Sequence, residues 1–167
     1  VCSSDLREWQ PAITSLVESE LDLAGATTLR SPNKTSAMWT PYEKRTGRKP
    51  DFLVSYRFIP HADGGRVQVP YQGYRSDLHY DGEDMEKDGI YMVHPEFLRS
   101  DGTVMLEDET LVPESGFAFM WILLFDRMWD YHRSRAIPGR KCWFMEGSRK
   151  VAEATVVEQI GLTHQIN

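Results

Sequence analysis

Cys142 lies between the cations Arg140 and Lys141 and the ring of Trp143, with His132 upstream. A thiol nucleophile needs cations that lower its pKa and a base within hydrogen-bond reach. The flanking cations meet the first requirement. Cys142 also sits in a strand-like run, where a face-filling cysteine is the commoner outcome. A Cys142-dependent hydrolase therefore stays a minor alternative, and the chain is read as non-enzymatic. Ser148 is not in the G-x-S-x-G setting that exposes a nucleophilic serine. The histidines His61, His79, His94, His132 and His164 show no ligand spacing, so no metal is expected. The acidic loop 81–88 lacks the Asp-x-Asp-x-Asp-Gly order and the closing Glu of a calcium loop. No G-x-x-x-x-G-K-[ST] segment is present, so GTP binding is unsupported and no cofactor is expected.

The residues point instead to binding. Arg127, Arg133, Arg135, Arg140 and Lys141 are interleaved with Trp129, Tyr131 and His132. Such a run can engage phosphates through Arg and stack its rings on bases or on a protein partner. Trp129, Arg133 and Arg135 are its candidate contacts. Net charge opposes broad nucleic-acid binding. Residues 51–167 carry 12 basic and 19 acidic groups, and the whole chain is at −6, whereas displacing counterions from a polyanion needs a positive surface. No DNA partner is expected.

The hydrophobic share, 41%, is enough for a packed core. Two cysteines make neither a disulfide framework nor a zinc cluster, and with no signal-peptide pattern they suggest a reducing, cytoplasmic setting. No apolar run reaches membrane-span length, so no membrane partner is expected. Residues 1–6 read as the translation of a sequencing-adapter end and are expected to be an assembly artefact, Cys2 included.

Three regions are expected: an appendage over 1–50, a β domain over 51–161 and a tail over 162–167. Ile13, Leu16, Val17 and Leu21 recur at helical spacing after Pro11, predicting an amphipathic helix over 11–24. Residues 30–50 read as a linker or draped arm, pinned by Met38, Trp39 and Tyr42. From Asp51 the period becomes two. Residues 52–59 and 66–71 are predicted to pair as a hairpin around Gly64-Gly65. Further strands are expected from Arg75 to Tyr80, Ile90 to Val93, Thr103 to Leu106 and Phe117 to Phe125, with an irregular basic segment from Met128 to Gly139. Lys141–Glu146 and 149–160 should form a last hairpin, turning at Gly147-Ser148. Many short strands predict an all-β fold, a small closed antiparallel barrel that removes exposed edges, with the helix appended at its N-terminal side.

Gly64-Gly65-Arg66, then Gly73-Tyr74-Arg75, then Ile137-Pro138-Gly139, Phe144 and Glu146-Gly147 before a Val-rich strand occur in an order that resembles the C-terminal β-barrel domain of elongation factor Tu. The resemblance spans roughly 51–161. It implies a module without chemistry of its own that holds the T-stem of aminoacyl-tRNA and meets other protein surfaces. By position it marks Arg75, Glu146 and Gly147 as binding residues, with Gly64, Gly65 and Gly73 as structural turns. Where the family has Pro-Gln after Gly-Tyr-Arg, this chain has Ser76-Asp77, and a carboxylate near phosphates is repulsive. The expected partner is therefore protein rather than RNA. An aminoacyl-tRNA-binding translation fragment, or an immunity or antitoxin-type protein that uses its acidic surface, are the alternatives.

Overall fold

The computed structural model describes residues 38–107 and 109–163. The predicted helix over 11–24 and the adapter-like residues lie outside these. The order of elements is α1 (Tyr42–Thr46), β1 (Phe52–Phe58), a 3-10 turn (His61–Asp63), β2 (Ser76–Tyr80), α2 (Met85–Asp88), β3 (Tyr91–Phe97), β4 (Ser115–Ile122), α3 (Phe125–Arg133), β5 (Lys141–Glu146) and β6 (Arg149–Gln159). The six strands close into an antiparallel barrel in the order β1-β4-β3-β2-β5-β6, with β6 returning to β1. The all-β closed barrel expected from the strand pattern is the fold.

Period-two alternation places Phe52, Val54, Tyr56 and Phe58 of β1 inside, against Ala118, Met120 and Ile122 of β4 and Ala152, Ala154 and Val156 of β6. The alanines of β6 let the rings of Tyr56, Phe58, Phe97 and Phe144 meet across the interior at centroid distances of 5.1–6.3 Å. Leu162, beyond β6, is also fully buried in this core.

The predicted hairpin of 52–59 with 66–71 does not form. Both edges of β1 are taken by β4 and β6, so the Gly64-Gly65 segment turns into a loop that closes one barrel end. Val67 is 83% exposed, and Tyr71 makes only a bridge to Leu111. The glycines are still required. Gly64 has φ +93, and a Cβ on Gly65 would lie 1.7 Å from the Ile59 carbonyl oxygen.

β3 runs through Pro95, past its predicted end at Val93. Pro95 is opposite Met120, whose carbonyl accepts from the Asp51 N–H on the other side. The pair thus needs no N–H from Pro95, and β2 pairs with β3 only as far as Val93. Residues 103–106 form no strand beyond the Leu98–Val104 bridge. Instead the buried Gln72 side chain donates to the Phe97 and Met105 carbonyls and accepts from the Phe97 N–H, tying the loops of that end together.

β4 stops at Ile122 rather than Phe125. Leu124 takes a left-handed conformation (φ 56), and α3 starts at the next residue. The segment expected to be irregular from Met128 is thus helical to Arg133. Phe125, Met128, Trp129 and His132, at i, i+3, i+4 and i+7, present one stripe to the core. The aromatic run has both periods, and capping the open barrel end settles the choice in favour of a helix. The β5–β6 hairpin forms as predicted, with Gly147 at φ +60 in its turn. Loop 81–89 holds the short α2, with Asp84 accepting from the Glu86 N–H. Among the described residues no helix is long and apolar enough to cross a membrane.

Candidate binding surface

The arm 38–50 is fastened to the outside of the barrel by two carboxylates, Glu96 and Asp51. Glu96, on the outward face of β3, is 1% exposed. Its Oε1 accepts from Trp39 Nε1 at 2.8 Å and from the Tyr42 N–H at 2.7 Å, and its Oε2 accepts from Trp121 Nε1 at 3.1 Å. Burial raises its pKa, and the three N–H donors oppose that shift. Further along the arm, Arg48 pairs with buried Asp51 at 2.6 Å and donates to the Ile122 carbonyl, while Asp51 accepts from the Ile122 N–H. Trp39 and Tyr42 therefore pin the arm as expected. Met38 does not do so with its side chain, which is 70% exposed, although its backbone bridges to Glu107.

This arm builds a surface that sequence reasoning did not assemble. The Trp39 ring covers Gly73, where a Cβ would lie 2.6 Å from the ring, and Gly73 has φ +87. Glycine is needed here on both counts. The Arg45 guanidinium lies 4.2 Å from the Trp39 ring centroid and 5.4 Å from that of Tyr42. Arg48 lies over Trp121 and Phe125. Arg75 is exposed and close enough that its charge lowers the pKa of His94, after the larger effect of burial, and acts on Tyr42. The result is a strip of Arg75, Arg45 and Arg48 on a platform of Trp39, Tyr42, Trp121 and His94, with Lys44 and Lys49 on the same arm. The signal in the sequence was the density of cations between residues 44 and 49, read there as linker composition.

The residues singled out by resemblance come together. β2 pairs Asp77 with Met145, so Arg75 and Glu146-Gly147 flank the same end of neighbouring strands. Glu146 is not free for a partner. It takes Arg66 and the Tyr74 hydroxyl (3.0 Å) on one oxygen and Arg149 on the other. It holds the Gly64–Tyr74 loop to the β5–β6 turn. Gly147 is exposed, with nothing within 4 Å of its Cβ position.

The other predicted set, Trp129, Arg133 and Arg135, belongs to the opposite barrel end, on and just after α3. Arg133 lies over the Trp129 ring at 4.6 Å. Arg135 stacks on Tyr131 at 3.8 Å and pairs with Glu83 at 2.6 Å, and Tyr131 donates to the same carboxylate. Arg135 is thus engaged in fastening the acidic loop to the cap. Arg75, just before β2, and the basic run of α3 thus lie at opposite ends of the barrel.

Cys142 is fully buried in β5, facing the core, and burial pushes its thiol up to about 12. His132 is equally buried, with Nδ1 2.8 Å from the Tyr80 hydroxyl. In the native chain Cys142 should not react with a thiol reagent at neutral pH and should react fully in denaturant. Fast native labelling would contradict this placement. Among the described residues no group of His, Cys, Asp or Glu is arranged to hold a metal ion.

No protein-family model matches this chain, and no curated protein matches it.

Proposed function

We propose that this chain is a non-catalytic binding module of the kind found in the elongation factor Tu C-terminal barrel, engaging a protein partner through the surface around Arg75. The observation that carries this reading is the exposed Arg75 beside the arm platform. Arg, Trp and Tyr are the side chains enriched where proteins meet, because they combine large apolar contact area with directional donors. Asp77, on β2, stands two residues beyond Arg75 and brings a carboxylate close to it in the chain. The strip is therefore of mixed charge, which suits a protein surface better than a run of phosphates.

A second reading has its own support. Lys44, Arg45 and Lys49 are exposed, and together with Arg75 they suit the backbone of a folded RNA such as tRNA. Pull-down from bacterial lysate at low salt, with Arg75→Glu as the control, separates the two readings. The expected result is one protein retained after nuclease treatment and lost on Arg75→Glu. Enrichment of tRNA, abolished by nuclease and by the substitution, would replace the protein reading with the RNA one. Retention indifferent to Arg75→Glu would remove this surface from either reading.

A further inference from the structure

Three apolar side chains form a ledge on the outside of the barrel, next to the Arg75 strip. Met92 alternates with the core residue Val93, so it points outward from β3, and it is exposed. The Leu123 N–H donates to the Met92 carbonyl, which carries the β3–β4 ladder one residue past Ile122 and sets Leu123 beside Met92. Leu123 is exposed as well, and Leu124 is 64% exposed. The His94–Trp121 pair, on which Tyr42 and Arg48 rest, lies two residues along the same strands, about 7 Å away at the rise of a strand. Ledge and strip are therefore one continuous surface. Leu124 adds a second observation. It is the only non-glycine residue with positive φ among the described residues. A bulky apolar residue is disfavoured in that conformation, which Gly or Asn adopts more readily. Its exposure shows that packing in the core does not compensate. Backbone strain of this kind collects where a side chain is held out for a ligand.

We infer, resting on the reading that the strip around Arg75 takes a protein, that Met92, Leu123 and Leu124 are the apolar half of the same site, and that the partner presents a short acidic segment with one bulky apolar anchor. Charge complementarity argues for this occupant. Arg66, Arg135 and Arg149 are held by the protein's own carboxylates, whereas Lys44, Arg45, Lys49 and Arg75 are exposed and have no carboxylate partner among the described residues. Arg45 is also oriented by the rings of Trp39 and Tyr42, so its guanidinium is pre-organised to take a carboxylate. The anchor sits on the ledge, where the flexible Met92 adapts to its shape. Asp77 lies opposite Met92 on β2 and fixes the orientation of the segment. Its charge repels acids from the ledge and leaves them to the arm. An anionic membrane would surround the ledge with phosphates on every side, Asp77 included, while a peptide places its carboxylates on one side alone. Aliphatic side chains also offer no ring on which a base could stack, which opposes RNA at the ledge.

The test is selection of short random peptides, displayed on phage, against the full chain, followed by fluorescence anisotropy with the best peptide. Enriched peptides should carry Asp or Glu beside a Leu, Ile, Phe or Trp. Leu123→Asp and Leu124→Asn should each weaken the best peptide about tenfold, the loss expected when a leucine no longer packs against its anchor, and Arg75→Glu should weaken it as well. Leu124→Asn relieves the positive φ, so its melting temperature should be unchanged or higher, which separates lost binding from lost folding. Enrichment of no peptide, or of peptides without acidic residues, would overturn the inference. Binding lost on Arg75→Glu but unchanged in both leucine variants would overturn the inference alone and leave the reading of the strip standing. Binding indifferent to Arg75→Glu as well would remove both. Sedimentation of the chain with phosphatidylserine vesicles, lost in Leu124→Asn, would assign the ledge to a membrane instead.

Discussion

Glu96→Leu is expected to detach the arm and destabilise the protein by about 3 kcal/mol. The substitution leaves the indole N–H groups of Trp39 and Trp121 and the Tyr42 backbone N–H without their acceptor, and each buried donor so orphaned costs about 1–3 kcal/mol. Peeling the arm into water rehydrates the first and third of these donors and limits the total. The measurement is denaturant unfolding together with amide exchange at Tyr42. Unchanged stability and unchanged protection would show that the arm is held by its ring contacts alone. Glu96→Gln keeps one acceptor but turns an amide N–H₂ toward donors, so it should fall between Leu and wild type. Its pH behaviour is a further check. Burial raises the Glu96 pKa, so the folded state binds the proton more tightly than the unfolded one. The contribution of this group to stability is therefore largest below the unfolded carboxylate pKa and declines as pH rises through the folded one. Glu96→Gln should remove that decline. Because the arm carries Arg45 and Arg48 to Arg75, Glu96→Leu should also weaken partner retention with Arg75 itself intact.

The protein is expected to lose about 3 kcal/mol of stability between roughly pH 6.5 and pH 4 through His132. Its ring is buried beneath the α3 cap among Phe52, Tyr80, Tyr91 and Tyr131. Desolvation, with a smaller effect of Arg135, lowers its pKa to about 4. The folded state thus refuses a proton that the unfolded chain accepts. Stability from this site is complete above the unfolded histidine pKa, falls as pH drops below it and levels off beneath the folded value. Asp51 and Glu96, whose pKa values are raised by burial, act in the opposite sense over the acid range, so the difference between wild type and His132→Phe isolates the histidine. The substitution removes the bond to Tyr80 and so lowers stability at pH 8, yet it should flatten the slope between pH 6.5 and 4. A slope that survives the substitution would place the acid sensitivity elsewhere.

The strip around Arg75 also shows that the charge total of a chain does not describe its surface locally. A chain at −6 still gathers Arg75, Arg45 and Arg48 on one strip, because Glu96 and Asp51 bury their own charges against the arm that carries the cations. At the other end, Arg135, which looked available in the sequence, is taken up by Glu83.

What the sequence by itself determined is the barrel and its local devices. Alternation in Phe52–Phe58, the Gly147 turn between two apolar strands and the strand after Arg75 all depend on neighbours in the chain, and period two records which side of a strand is buried. Only the tertiary structure decided the rest, because it depends on pairing between distant segments. β1 could not pair with 66–71 once β4 and β6 occupied both its edges. Pro95 could stay in a strand only because its partner's polar groups point to β1. The run after Ile122 satisfied both periods until the open barrel end selected the helix. The start of the arm became part of a surface through Glu96, more than fifty residues away from Trp39 and Tyr42 in the chain, a distance across which composition and periodicity carry no signal.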